Sequence, residues 1–393
     1  MVSRALAGTK RSVPSLHGAA LAAALVMAVC MGFGRFAYTG VYPVMVQEGL
    51  LSLHDGTLAA SANYGGYLLG ALLAARLASH RAYACMLVSL VAGVLCTFAL
   101  AYTAQPWLVI AVRGAAGVFS ALAMIGASLW LLHHKGFQQG APVLFAGVGV
   151  GIFLSAELLA GAQYLGSNSV GLWLALGVAS TLLGAIALLK SDGDAVAEQA
   201  ASQDLHPSQT PIGAWPLIGA YGLAGFGYII TATYLPMFVK GSLGGINPIH
   251  VWAVFGLGAA PSCYLWHRVH ACLGTHKALR ANLLLQAVGV MLPVLAPTPF
   301  GYLGSALIVG GTFMGTVTIV MPAARRVAHQ VKFNLIALMT AGYGTGQIIG
   351  PLLAGYLFAR TGSFNGSLVA ASLGLLVASV LTLRLPAGRK PAP

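Results

Sequence analysis

Three ionisable residues stand inside long apolar runs: Arg35 in the run 18–47, Arg113 in 106–132 and Glu157 in 139–165. An ionisable side chain away from water costs roughly 2.5 to 3.5 kcal/mol on insertion scales, so each is a candidate for function. Arg35 lies about 17 residues into its run, some 26 Å along a helix rising 1.5 Å per residue. Glu157 lies about 18 residues into a run of the same direction, and Arg113 about seven residues into a run of the opposite one, which places all three at comparable depth. Glu157 is therefore expected to pair with Arg35 or Arg113, because an unpaired buried charge is strongly destabilising. A carboxylate so placed can take up a proton and release its guanidinium; the bland alternative is a structural ion pair.

Hydroxyl-bearing and amide residues surround this chemistry. Tyr38, Thr39 and Tyr42 follow Arg35 at helical spacing on one face. Tyr38, Asn63, Tyr67, Tyr228, Thr231, Tyr343 and Gln347 are the candidates for lining a polar cavity that holds a small molecule. Tyr42, Tyr102 and Tyr221, nearer the ends of their runs, read as interfacial belt residues.

Other chemistries lack material. Nine of the eleven histidines fall at one set of loops or in a polar connector, and His267 and His270 have no evident third metal ligand. No P-loop, GxSxG or HExxH sequence occurs, so neither an enzyme nor a cofactor or metal site is expected. The five cysteines form no CxxC pair and read as reduced, structural thiols. The net charge of +13 is dispersed one to three residues at a time and does not form the clustered patch of a nucleic-acid binder.

The elements that must position these groups follow from composition. Of 393 residues, 58% are apolar and 7% charged, too little polar material to coat a water-soluble globule. Apolar runs long enough to cross a bilayer fall at 18–47, 56–78, 82–103, 106–132, 139–165, 169–190, 212–240, 248–266, 276–296, 299–322, 332–360 and 364–385. The expectation is an all-α membrane protein of twelve transmembrane helices. Alternating them assigns sixteen Lys and Arg to one side and only Lys240 and Arg360 to the other. By the positive-inside rule the basic side, with both termini, is cytoplasmic. The apolar run behind Arg4, Lys10 and Arg11 reads as the first span and not as a cleaved leader.

The chain also repeats. GFGRFAYTGVYPVMV (32–46) aligns with GFGYIITATYLPMFV (225–239) at five of fifteen positions, at an offset of 193. GVGVG (147–151) and LLAG (158–161) return as GYGTG (342–346) and LLAG (352–355). Two pseudo-symmetric six-helix bundles are expected, at 1–190 and 212–393, joined by a cytoplasmic linker at 191–211 that holds four of the seven acidic residues. The 51 glycines fall largely inside the runs, where they let helices approach closely, and Pro43, Pro236, Pro261 and Pro351 are expected to kink theirs.

The segments GFGRFAYT (32–39), SANYGGYLLGALLA (61–74), AAPSCYLW (259–266) and GGTFMG (310–315) resemble the YbfB/YjiJ branch of the major facilitator superfamily, over essentially the whole chain. Arg113 and Gly117 in RGAAGVFSA are similar to the superfamily's RxxxGxG motif, which implies proton coupling, although Phe119 stands in place of its second glycine. Ala74 and Ala271 occupy positions where the superfamily's cytoplasmic loops carry aspartate, and Ile152 follows Gly151 where the exporters' motif has proline.

The resulting expectation is a secondary active transporter in a bacterial inner membrane. It moves a small organic solute by alternating access, with protons as the partner that Glu157 suggests, and works as a monomer. An uncoupled facilitator, or a receptor or scaffold that retained the fold without transport, are the alternatives.

Overall fold

The computed structural model describes residues 16–103, 105–192, 212–239, 247–332 and 334–383. Of the expected linker this includes only Ser191 and Asp192, and Lys240 and the terminal basic residues also lie outside the described residues. The described chain is helical throughout, without strands. The helices are α1 Leu16–Gln47, α2 Leu53–Arg76, α3 Ser79–Tyr102, α4 Pro106–His134, α5 Gln138–Tyr164, α6 Ser169–Lys190, α7 Ala214–Met237, α8 Ile249–Leu295, α9 Pro299–Val327, α10 Leu335–Thr361 and α11 Asn365–Leu381. Nine of them, α1 to α9, are long and apolar enough to cross a bilayer.

Local sequence sets the helix ends. Ser52 and Asp55 form a reciprocal capping box at α2, and Asn168, Thr298 and Asn334 each accept a bond from a backbone N–H of the first turn of α6, α9 and α10. Gly362 closes α10 in the left-handed region at φ 67°. Helix α8 is two arms joined at Gly274, whose φ of 73° and ψ of 171° interrupt the helix where the sequence predicts separate spans. His270 Nε2 lies 2.9 Å from Thr275 Oγ1 beside this turn. Burial, followed by the charges of Arg326 and His267, lowers the His270 pKa from its ordinary value.

The expected proline kinks are not where α1 departs from regularity. Helix continues through Pro43, Pro236, Pro261 and Pro351. Irregularity is concentrated at Ala28–Phe36, a π-helical stretch across the GFGRF sequence. Such bulges alter which carbonyls find a partner inside the helix and are frequent at functional sites.

Packing between helices rests on glycine. In a bilayer there is no aqueous driving force to hold helices together, so close backbone approach supplies dispersion contact instead. A Cβ on Gly151 would stand 2.6 Å from the Ala28 Cα, and one on Gly32 would stand 2.5 Å from the Gly151 Cα. The repeat mates of this pair behave alike, since Gly346 lies against Gly222, Gly225 and Phe226 of α7. Gly66 and Gly117 lock α2 to α4, while Gly258 and Gly310 lock the first arm of α8 to α9.

Gly151→Leu should therefore destabilise the protein by about 1 to 3 kcal/mol or prevent folding, read as a lowered melting temperature in detergent. Gly161→Ala, where nothing stands within 4 Å of the added carbon, should leave the melting temperature unchanged or slightly higher.

Candidate functional site

Short connections fold successive helices back on one another, so one end of the molecule collects Arg76, Arg81, Lys135, Lys190, Arg268, Lys277, Arg280, Arg325, Arg326 and Lys332. This is the basic end; the far end carries Gln47, Leu53, Tyr164, Ile249 and Thr361. At the basic end Asp192 is ion-paired with Lys135, and its backbone carbonyl accepts from Trp130 Nε1 at 3.0 Å.

Helices before residue 193 meet those after 211 through hydrogen bonds between mid-depth and the far end. Thr39 Oγ1 donates to the Ala232 carbonyl at 2.7 Å, and Ser61 Oγ donates to the Ile348 carbonyl at 3.3 Å. Thr57 and Tyr234 hydroxyls lie 2.8 Å apart, and those of Tyr64 and Thr233 2.9 Å apart. Asn247 Nδ2 donates to Gln163 Oε1 at 2.7 Å. On the basic-end edge of this layer, Arg35 Nη2 donates to Gln347 Oε1 at 3.2 Å.

Arg35 is 2% exposed, and its guanidinium lies 3.9 Å from the centre of the Tyr67 ring, 5.1 Å from Tyr64 and 5.3 Å from Phe36. Ring faces attract a desolvated cation by about 2 kcal/mol. They supply no hydrogen-bond acceptor of the strength a guanidinium requires, and Nε and Nη1 have no partner among the described residues. Beyond Gln347, whose Nε2 donates to the Tyr228 hydroxyl, the rings continue. Tyr228 stacks on Phe313 at 5.2 Å and lies 6.0 Å from Tyr343, which stacks on Tyr221 at 4.4 Å.

Arg113 is equally buried but differently used. Its Nη1 donates to the Gly34 carbonyl at 2.9 Å and its Nη2 to the Arg35 carbonyl at 3.0 Å, with its face 4.3 Å from the Tyr38 ring. Gly40 N–H turns back to the Ala37 carbonyl at the end of the π-helical stretch, and Arg113 satisfies backbone oxygens next to that junction. A side chain entering the helix ladder in this way fixes a bend. Arg113 therefore holds Arg35 in place from behind.

The expected pairing of Glu157 with Arg35 or Arg113 is not formed. Glu157 Oε1 lies 2.9 Å from His250 Nδ1, at the first turn of α8, and the two side chains are 39% and 43% exposed. The remaining described carboxylates are also engaged: Glu48 with Ser169, Asp55 with Ser52, and Asp192 with Lys135. Position along the helix says nothing of azimuth, and α5 turns this carboxylate toward α8. Among the described histidines only His250 and His54 lie away from the basic end, and that imbalance was the available signal.

The expected cavity residues divide. Tyr67, Tyr228, Tyr343 and Gln347 gather around or beside Arg35. Tyr38 donates to the Gly56 carbonyl at 3.1 Å and forms the Arg113 platform. Asn63 is fully buried and donates to the Arg113 carbonyl at 2.8 Å, joining α2 to α4. Thr231 is fully buried, and its hydroxyl has no partner among the described residues. Two expected belt residues are interior: Tyr42 is 0% exposed and bonded to the Leu53 carbonyl, and Tyr221 is 5% exposed, whereas Tyr102 is 76% exposed. Phe36 and Phe313 complete the ring cluster and carried no polar atom to mark them in the sequence.

Apolar helices of bilayer length enclosing buried cations and hydroxyls define a polytopic membrane protein with a polar centre. Residues 27–383 match the family model described as the uncharacterised MFS-type transporter YbfB, and the chain belongs to that family. It is a transporter and not an enzyme. No curated protein matches the chain.

The two arginines should separate in stability measurements. Arg113→Leu strands backbone carbonyls and should cost on the order of 2 kcal/mol. Arg35→Gln removes a cation with open donors and should leave the melting temperature unchanged or raise it.

Proposed function

We propose that this protein is a secondary transporter that moves a small organic solute across a bacterial inner membrane by alternating access. In this reading twelve spans form two six-helix bundles that rock about Arg35, with both termini cytoplasmic. The observation that carries it is the arrangement of contacts between the two sets of helices. Gly149 of α5 packs on Ala260 of α8 and Gly344 of α10 on Leu68 of α2; one step along, Phe153 meets Gly256 and Ile348 meets Gly65. With α5 matched to α10 and α2 to α8, the contact of α5 on α8 and that of α10 on α2 exchange under the repeat, as expected of a two-fold axis normal to the membrane. Thr39 and Ala232, 193 residues apart, are themselves repeat mates in direct contact, which is the mark of residues on that axis. Such an interface has two symmetric seams, and closing it at the far end leaves the basic end as the side from which a solute reaches Arg35.

Proton coupling in this reading passes through Glu157 and His250. Their bond joins helices from both sets toward the far end, so a proton on the carboxylate weakens a contact that holds that end shut. Also toward that end stand His54 and Asp55 in the opening turn of α2, Glu48 just past the end of α1 and Arg360 in the last turn of α10, and Glu48 and Asp55 are already bonded to serines. Uncoupled facilitation is the second reading, favoured by the partial exposure of the Glu157–His250 pair.

The test is transport in proteoliposomes with and without an imposed pH gradient. Glu157→Gln and His250→Gln should abolish gradient-driven accumulation, by tenfold or more on the scale of about 1.4 kcal/mol per tenfold, while solute exchange persists. Accumulation that is unchanged in both variants would end the coupling assignment; absence of exchange for every solute class would end the transport assignment.

A further inference from the structure

We propose that the solute is a small aromatic monoanion, a flat acid whose carboxylate is held by Arg35; this rests on the transport reading of the same centre. Two guanidinium groups lie within one buried region, since Arg113 grasps the backbone carbonyl of Arg35 itself. Every described carboxylate is engaged elsewhere. Charge buried without a counter-ion is strongly unfavourable, and the two arginines meet that cost differently. Arg113 has a carbonyl acceptor on each Nη group, leaving only Nε without a partner among the described residues. Arg35 has one amide oxygen and ring faces, with Nε and Nη1 open at 2% exposure. A guanidinium presents a planar fork of donors that matches a carboxylate, so one open fork selects one negative charge.

The surroundings decide what carries that charge. A zwitterion such as an amino acid needs an acidic partner for its ammonium, and no described carboxylate is free to supply one. A sugar or polyol needs many open polar partners, whereas Gln347 and Tyr228 are bonded to each other and the hydroxyls of Tyr64 and Tyr67 are engaged by Thr233 and Met124. The row Tyr221, Tyr343, Tyr228, Phe313 runs past Arg35 with near-parallel planes between neighbours. A further aromatic ring joins such a row by offset stacking, a favourable arrangement beyond the burial of its area. Tyr67 and Tyr343 are half-buried and lie on the basic-end edge of the sealed layer, where a solute arriving from that end first meets the cluster.

The experiment is thermal unfolding of the full purified chain with four probes: benzoate, cyclohexanecarboxylate, benzamide and benzylamine, followed by counterflow of labelled benzoate in proteoliposomes. Benzoate should raise the melting temperature in a saturable way. Cyclohexanecarboxylate, which keeps the charge and loses the π face, should bind about tenfold more weakly. Benzamide and benzylamine should bind at least about tenfold more weakly than benzoate. Arg35→Gln should abolish the benzoate shift and Arg35→Lys should weaken it about tenfold by losing the planar fork. Both variants report their own folding through the same melt. A benzoate shift that survives in Arg35→Gln, a benzamide or benzylamine shift equal to that of benzoate, or no benzoate shift at all would overturn the assignment. Counterflow of a neutral or cationic solute that is unaffected in Arg35→Gln would overturn it and leave the transport reading standing. Arg35-dependent benzoate binding without flux would uphold the site and remove the transport reading.

Discussion

The guanidinium of Arg35, held among rings and away from water, is the constraint to which the centre of this protein is built. A cation at this depth is tolerated only if the surrounding structure supplies acceptors, ring faces or a counter-ion. Here the structure supplies Gln347 and the rings of Tyr67, Tyr64 and Phe36. The irregular turn that presents Arg35 is stabilised in its turn by Arg113, whose fork occupies the Gly34 and Arg35 carbonyls. Two residues of one chemical type thus do different work: Arg113 has both Nη groups used to shape the backbone, whereas Arg35 has only Nη2 bonded.

That division depends on glycine. The π-helical stretch contains Gly32 and Gly34, and Gly32 lets α5 come against α1 through Gly151. Close approach on one side of α1 leaves its other side to face α4 and the later helices, which is why Arg113 can reach its backbone and Gln347 can reach its guanidinium. The same small-residue logic recurs between α7 and α10, and the exchanged contacts Gly149 with Ala260 and Gly344 with Leu68 extend it across the molecule. Packed interfaces of this kind are switched as units and do not deform gradually, which suits the rocking motion proposed for the two bundles.

Much of the helix layout was legible in the amino-acid sequence because bilayer length, capping residues and prolines act locally. The run 106–132 and the helix Pro106–His134 begin at the same residue, and 169–190 coincides with Ser169–Lys190. The split between 266 and 276 was visible from the charges and Gly274, although the chain there is one interrupted helix. The irregular stretch of α1, by contrast, arose at GFGRF, where packing against α5 and the reach of Arg113 act together.

By itself the sequence determined which residues are costly to bury, how far along their helices they stand and which segments repeat, because charge, hydropathy and order along the chain are properties of single residues and short runs. Tertiary structure alone decided their partners. Azimuth on a helix and the approach of helices distant in sequence turned Glu157 to His250, Asn63 to the Arg113 backbone, and Gln347 to Arg35 across 312 residues. A pairing inferred from depth could not anticipate this, since side chains at equal depth on a helical bundle can face in different directions, and only packing selects among them.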